Sequence, residues 1–340
     1  MSEKRPKVVL THWVQDEVLT LLGQHADVVP NPTRESWPQE ELLRHCRDAD
    51  ALIVFMPDRI GADFLRECPK LRIVAGALKG YDNIDPQACT DAGVWLSVVP
   101  DLLTVPTAEL AVGLLLALTR RIPAGDRLIR SGTFQGWRPT LYGEGLAGTT
   151  VGILGYGRVG QTIARRLSGF DVELVFHDVV ETLPVHQSVE GPERVDLETL
   201  LRVTDHLITA APLNDSTLHL LNADRLRQMK PGATLVNIGR GSVVNEEDVA
   251  QALEDGHLAG YAADVFEMED LSLEERPPEI CEALLGFPER TVFTPHLGSA
   301  VASVREAIAL EAAWNVVDAL EGRVPRGAVD ELSLEHGALT

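Results

Sequence analysis

Short β-branched runs alternate with stretches of helical periodicity from the start of the chain. Val8 to Thr11, Ala51 to Phe55, Leu71 to Ala75 and Val94 to Val98 read as strands, and Asp16 to Gln24 reads as a helix. A second series of strand-like runs covers Thr150 to Leu154, Val172 to Phe176, His206 to Ala210, Thr234 to Asn237, Gly260 to Asp264 and Thr291 to Thr294. Strands that alternate with helices predict parallel sheets covered by helices, and two such series predict two α/β domains. Between them, Pro106 to Arg121 predicts a helix, with Pro and Thr at its start, an acid in its first turn and basic residues at its end. It is apolar nearly all round, where an amphipathic helix needs a single stripe. That predicts a buried domain connector or part of a subunit interface. Val301 to Leu320 predicts a last helix that returns the chain to the first domain, and the last dozen residues read as a loose tail.

A chain of 340 residues, 45% of them apolar, has material for two cores. The formal net charge of -21, from 51 acidic and 30 basic side chains, disfavours nucleic acid and anionic membrane as partners. An anionic substrate then needs a local cluster of cations. Cys46, Cys68, Cys89 and Cys281 are far apart, with no C-x-x-C pair and no histidine at metal spacing, which reads as a set of reduced thiols and no metal site. The N-terminal stretch has neither the apolar core nor the cleavage site of a signal peptide, and the run Ala108 to Thr119 is too short to span a bilayer. A cytoplasmic protein is expected.

Chemistry enters at Gly155-Tyr156-Gly157-Arg158-Val159-Gly160. This G-x-G-x-x-G stands directly after a strand-like run and directly before a helical one. The first glycine permits a tight turn, the second lets backbone approach a pyrophosphate, and the third lets helix and strand pack closely. A helix N-terminus then offers free N–H groups and positive dipole to the phosphates. Asp178 stands about 20 residues on, where an acid accepts hydrogen bonds from the adenosine ribose. It would repel a 2'-phosphate, and no arginine follows it in Val179-Val180-Glu181. NAD is the expected cofactor, in preference to NADP.

Three further segments place polar residues after successive strands. Arg240 sits between two glycines in NIGRGS, and its planar fork suits a carboxylate or phosphorus oxyanion. Acids follow a strand in ADVFEMED, and His296 follows another through Pro295. A histidine paired with a carboxylate is a general acid/base unit.

With G-x-G-x-x-G and its downstream acid, N-x-G-R-G, D-V-F-E-x-E and T-P-H-x-G in this order, the chain resembles the D-2-hydroxyacid dehydrogenase family over nearly its whole length. The resemblance implies two Rossmann-like domains with the active site in the cleft between them: a substrate-binding domain of residues 1–103 plus 301–340, and an NAD-binding domain of residues 104–300. It implies Arg240 as the substrate-binding arginine, Glu269 as the acid that orients His296, and His296 as acid/base. Thr107, Ala211, Pro212, Ile238, Gly239, Asp264 and Gly298 are implied near the nicotinamide half of NAD.

One departure is informative. In GALKGYDNID the family usually has a small or uncharged residue where this chain has Lys79. A lysine there adds a cation to the one on Arg240. With Met56, the PDLLTVPTAEL run that holds Leu103, Trp137, Tyr142 and Arg305, this resembles the phosphite dehydrogenases within the family. The resemblance implies phosphite as substrate, with Met56, the Gly80 backbone and Leu103 lining the pocket, Trp137, Tyr142 and Arg305 nearby, and His296 or Arg240 as base. A small D-2-hydroxyacid such as glycerate or lactate is the alternative substrate. An NAD-sensing, corepressor-like binding protein is the alternative of another class, against which the retained Arg240, Glu269 and His296 argue. A homodimer is expected.

Overall fold

In a computed structural model that describes residues 5–180 and 191–329, the chain forms two compact units. One is Met1–Leu103 with Val301–Thr340, and the other is Thr104–Ala300. Glu181 and the tail from residue 330 lie outside the described residues.

The first unit is built on strands β1 (Lys7–Leu10), β2 (Asp27–Pro30), β3 (Ala51–Val54), β4 (Ile73–Gly76) and β5 (Trp95–Ser97), all parallel, in the order β2-β1-β3-β4-β5. Strand order reverses between β1 and β3, the point where an open α/β sheet forms a crevice at its carboxyl edge. β3 and β4 are buried along their whole length, as a parallel sheet covered on both faces requires. One face packs on the helix Asp16–His25 through Val18 and Leu22, and on the helix Ala302–Leu320 through Ile308, Ala312 and Val316. This unit is therefore assembled from two stretches of chain. β2, which the sequence pattern does not predict, is an edge strand of four residues that ends in proline, a residue an edge tolerates.

The second unit holds β6 (Thr150–Leu154), β7 (Glu173–His177), β8 (Glu193–Arg194), β9 (His206–Thr209), β10 (Ala233–Asn237), β11 (Leu258–Ala263) and β12 (Thr291–Phe293). They form one parallel sheet in the order β12-β11-β10-β9-β6-β7-β8. The order reverses between β6 and β9, as in dinucleotide-binding sheets. β8 is two charged residues at the edge, without a β-forming pattern to predict it.

The apolar helix runs from Thr104 to Thr119, two residues earlier at each end than its sequence pattern suggests, so Pro106 lies in its first turn. It is a core element of its own unit. Ala108, Ala111, Leu115 and Leu118 pack with Ile163, Leu167 and Val236. No helix among the described residues is long and apolar enough to cross a membrane.

Candidate active site

The glycine loop begins where β6 ends. Gly155 has φ +89°, which an L side chain rarely adopts, and a Cβ on it would lie 2.8 Å from the Ala211 nitrogen. A Cβ on Gly160 would lie 2.2 Å from the Gly155 carbonyl oxygen, so that glycine lets the helix Arg158–Leu167 close onto the strand. Gly157, the cap of that helix, has open space where its Cβ would stand. Two glycines are needed for backbone contact and the middle one leaves room, the arrangement a pyrophosphate at a helix N-terminus requires.

Asp178 follows β7, and its carboxylate accepts from the Tyr156 amide at 2.6 Å and the Val180 amide at 2.8 Å. It thereby ties the glycine loop to the end of the next strand. Each oxygen keeps acceptor capacity for a ribose hydroxyl. Arg194 donates to the Asp178 carbonyl at 2.7 Å, a contact with backbone that leaves the carboxylate to the loop. Arg158 is exposed and Val159 half-buried on the first turn of the helix. Ala211 and Pro212 follow β9 across the switch point. A Cβ on Gly239 would lie 2.5 Å from the Ala211 oxygen, so the Ile238–Gly239 turn, the Ala211 segment and Gly155 meet backbone to backbone. These are the loops that would hold a dinucleotide.

β10, β11 and β12 are adjacent and parallel, so they deliver Arg240, Glu269 and His296 at the same edge of the sheet. Arg240 is half-buried and donates to the Gly239 carbonyl at 3.1 Å. Asn237, the last residue of β10, donates to the Arg240 carbonyl at 2.9 Å and accepts from the Gly239 amide at 3.1 Å. His296 Nδ1 and Glu269 Oε2 are 2.7 Å apart, and Glu269 Oε1 accepts from the Phe266 amide at 2.9 Å. With the carboxylate on Nδ1, Nε2 is the ring nitrogen that can exchange a proton with a substrate.

His296 has φ +55°, the left-handed region, and Asp264 holds it there. The Asp264 carbonyl accepts from the His296 amide at 2.9 Å, and its carboxylate accepts from Thr294 Oγ1 at 2.6 Å, the Leu297 amide at 2.7 Å and the Gly298 amide at 2.8 Å. Burial pushes the Asp264 carboxyl above the usual carboxylate range, against the pull of these bonds. A Cβ on Gly298 would meet Thr107 Oγ1 at 3.2 Å and Asp264 Oδ2 at 3.3 Å, so three of the residues expected near the nicotinamide lie against one another.

In the first unit, the turn after β3 carries Met56 and the loop after β4 carries Lys79 and Gly80. Met56, Lys79 and Gly80 are all half-buried. Asn83 Nδ2 lies 2.6 Å from the Asp58 carbonyl and 3.3 Å from those of Phe55 and Met56, which staples the two loops together. Asp58, buried, accepts from the Phe55 amide at 2.7 Å and from Thr11 Oγ1 at 2.5 Å. Arg305 lies over the Phe55 ring at 5.7 Å and donates to the Ala77 carbonyl at 3.4 Å. Met56, Lys79, Gly80 and Arg305 thus share the carboxyl edge of one sheet, and Leu103, half-buried, packs against the apolar core of the same unit.

Trp137 and Tyr142 are not gathered in. They lie on the loop after the helix Ile122–Arg130, 76% and 68% exposed. Among the described residues no hydrogen bond or ring contact joins them to Arg240, Glu269 or His296.

A doubly wound unit with a dinucleotide loop and a histidine–carboxylate pair defines a nicotinamide-dependent oxidoreductase. Residues 112–298 match the family model for the D-isomer specific 2-hydroxyacid dehydrogenase, NAD binding domain. The chain is 39% identical over 331 residues to the glyoxylate reductase of Thermofilum pendens, covering 96% of this chain and 95% of that protein. Among solved structures it is similar to the TT0316 protein from Thermus thermophilus, with 34% identity and a TM-score of 0.84 over 95% of this chain and 100% of that one. It is also similar to the NADPH-dependent glyoxylate/hydroxypyruvate reductase of Sinorhizobium meliloti in complex with NADP and malonate, with 30% identity and a TM-score of 0.81 over 97% and 98% of the two chains. The chain belongs to the D-isomer specific 2-hydroxyacid dehydrogenase family, and Thr104–Ala300 contains its NAD-binding domain.

Proposed function

We propose that the chain catalyses NAD-linked interconversion of a small 2-oxoacid and its 2-hydroxyacid, with glyoxylate as the first candidate. The observation that carries this reading is the 2.7 Å contact between His296 Nδ1 and Glu269 Oε2, in a family whose relative from Thermofilum pendens is named glyoxylate reductase. Bound NADH supplies the hydride. Arg240 holds the substrate carboxylate through its planar fork. His296 Nε2 gives a proton to the carbonyl oxygen as it becomes a hydroxyl, and Glu269 keeps the ring oriented and favours its charged form. The balance is glyoxylate, NADH and one proton giving glycolate and NAD. In oxidation His296 takes the hydroxyl proton instead.

A second reading rests on Lys79, in the loop after β4, and on the segments in which the chain resembles phosphite dehydrogenases. Phosphite, NAD and water would give phosphate, NADH and a proton. The water oxygen would bond to phosphorus as the P–H bond broke, bound NAD would supply the hydride acceptor for its electron pair, and His296 would take a proton from the water. Lys79 would bind phosphite oxygens.

The two are separated by following NADH with purified protein, as its consumption with glyoxylate or hydroxypyruvate and as its formation with phosphite, glycolate, glycerate or lactate. Turnover of the organic acids with none on phosphite is the outcome expected of the first reading, and the converse removes it. Should phosphite be oxidised, Lys79→Ala is expected to raise the KM for phosphite far more than that for NAD. Equal effects on both would place Lys79 away from the substrate.

A further inference from the structure

The segment that carries Arg240 is pressed against the segment that carries Glu269. A Cβ on Gly241 would stand 1.9 Å from the Phe266 carbonyl carbon, so the two backbones have no slack between them. Carboxylates join them at both ends. The Ser242 amide donates to Asp270 Oδ2 at 2.6 Å. The Glu246 amide donates to Glu267 Oε1 at 2.7 Å, and the Glu267 amide returns the bond to Glu246 Oε1 at 2.9 Å. Glu246 Oε2 also accepts from the Cys281 amide at 3.0 Å.

All three acids are buried, which is costly for charges unless they are hydrogen-bonded, and burial pushes the Glu246 carboxyl up. His219 brings its Nε2 to 3.0 Å from Glu267 Oε2, and its amide donates to the Ser242 carbonyl at 2.7 Å. A second histidine–carboxylate pair therefore stands behind the Arg240 loop. It is separate from the His296–Glu269 pair, which has its own anchor at the Phe266 amide.

We propose that Glu246 and Glu267 form a reciprocal clasp, with His219 as its polar partner, that positions Arg240 for the substrate oxyanion. This deepens the reading that Arg240 binds substrate and rests on it. Neither acid touches substrate. They act by fixing where the arginine fork stands, and a small displacement of such a group is enough to weaken binding.

The test compares Glu267→Ala, Glu267→Gln and His219→Ala in the full-length protein. Steady-state kinetics and calorimetric binding of oxamate to the NADH complex report on Arg240, and amide hydrogen exchange over residues 240–246 reports on the clasp itself. Glu267→Ala is expected to raise the substrate KM and the oxamate Kd by about tenfold, with the KM for NADH within about twofold. Glu267→Gln, whose amide oxygen still accepts from the Glu246 amide, is expected to restore most of that loss. His219→Ala is expected to shift the same constants in the same direction by a smaller factor and to speed exchange of the Ser242 and Glu246 amides. Unchanged oxamate binding in Glu267→Ala, a parallel rise in the NADH constant, or a glutamine variant no better than alanine would overturn the clasp. If Glu267→Ala does not fold, unaltered exchange in His219→Ala overturns it. If the wild-type protein neither turns over substrate nor binds oxamate, the parent reading of Arg240 fails, and the exchange data still decide whether the clasp holds the 240–246 loop.

Discussion

His296 sits in the left-handed region with its amide bonded to the Asp264 carbonyl, so its substitution has to respect backbone as well as chemistry. Asparagine adopts positive φ more readily than other residues and lacks a titratable ring. His296→Asn is therefore expected to lower kcat by about 10²- to 10⁴-fold, the usual worth of a general acid/base, while NADH affinity measured by fluorescence titration stays within a few-fold. A comparable loss of NADH binding would make the residue structural. At this scale the site is legible in the sequence where a side chain has chemistry to declare. Arg240, Glu269 and His296 follow successive strands, and Asp178 follows the second strand of its unit. The residues that brace the loops are not. Asn83 and Asp58 tie together the loops after β3 and β4, and Asn237, Glu267 and Asp270 bond the backbone of the segment around Arg240; each reads as an ordinary polar residue until the fold brings a backbone amide or carbonyl to it. Trp137 and Tyr142, expected near the pocket from the resemblance alone, stand exposed on a loop.

The glycines do at the level of elements what Asp264 does at the level of residues. Gly160 lets the helix Arg158–Leu167 reach the end of β6, and the 2.2 Å approach of an added Cβ is to a backbone oxygen that cannot rotate away. Gly160→Ala is expected to lower stability by about 1–3 kcal/mol through overpacking and to weaken NADH binding, because the helix N-terminus must withdraw from the phosphates. A variant with a lower Tm and unchanged NADH affinity would show that the helix end is not where the phosphates sit. Buried strands are readable as apolar runs, and the long helices as periodic ones. β2 and β8 are not, since an edge strand of four residues ending in proline and a pair of charged residues owe their conformation to neighbours rather than to their own pattern.

Taken whole, the chain is two cores of unequal autonomy. Thr104–Ala300 is one continuous stretch with its own apolar clusters, so a fragment of residues 104–300 is expected to unfold cooperatively and bind NADH without the rest of the chain. A molten fragment, binding hydrophobic dyes and lacking a sharp transition, would count against that. The first unit has no such independence. Val18 and Leu22 find their partners in Ile308, Ala312 and Val316, near the other end of the sequence. During synthesis its first hundred residues emerge long before the helix Ala302–Leu320 that caps their sheet. At roughly 5–20 residues per second the interval is about 10–40 s, in which that apolar face lacks the helix that completes its cover. The second unit is complete by the end of the interval. A released chain that stops at residue 300 is thus expected to carry a protease-resistant NAD-binding domain behind a protease-sensitive leading segment.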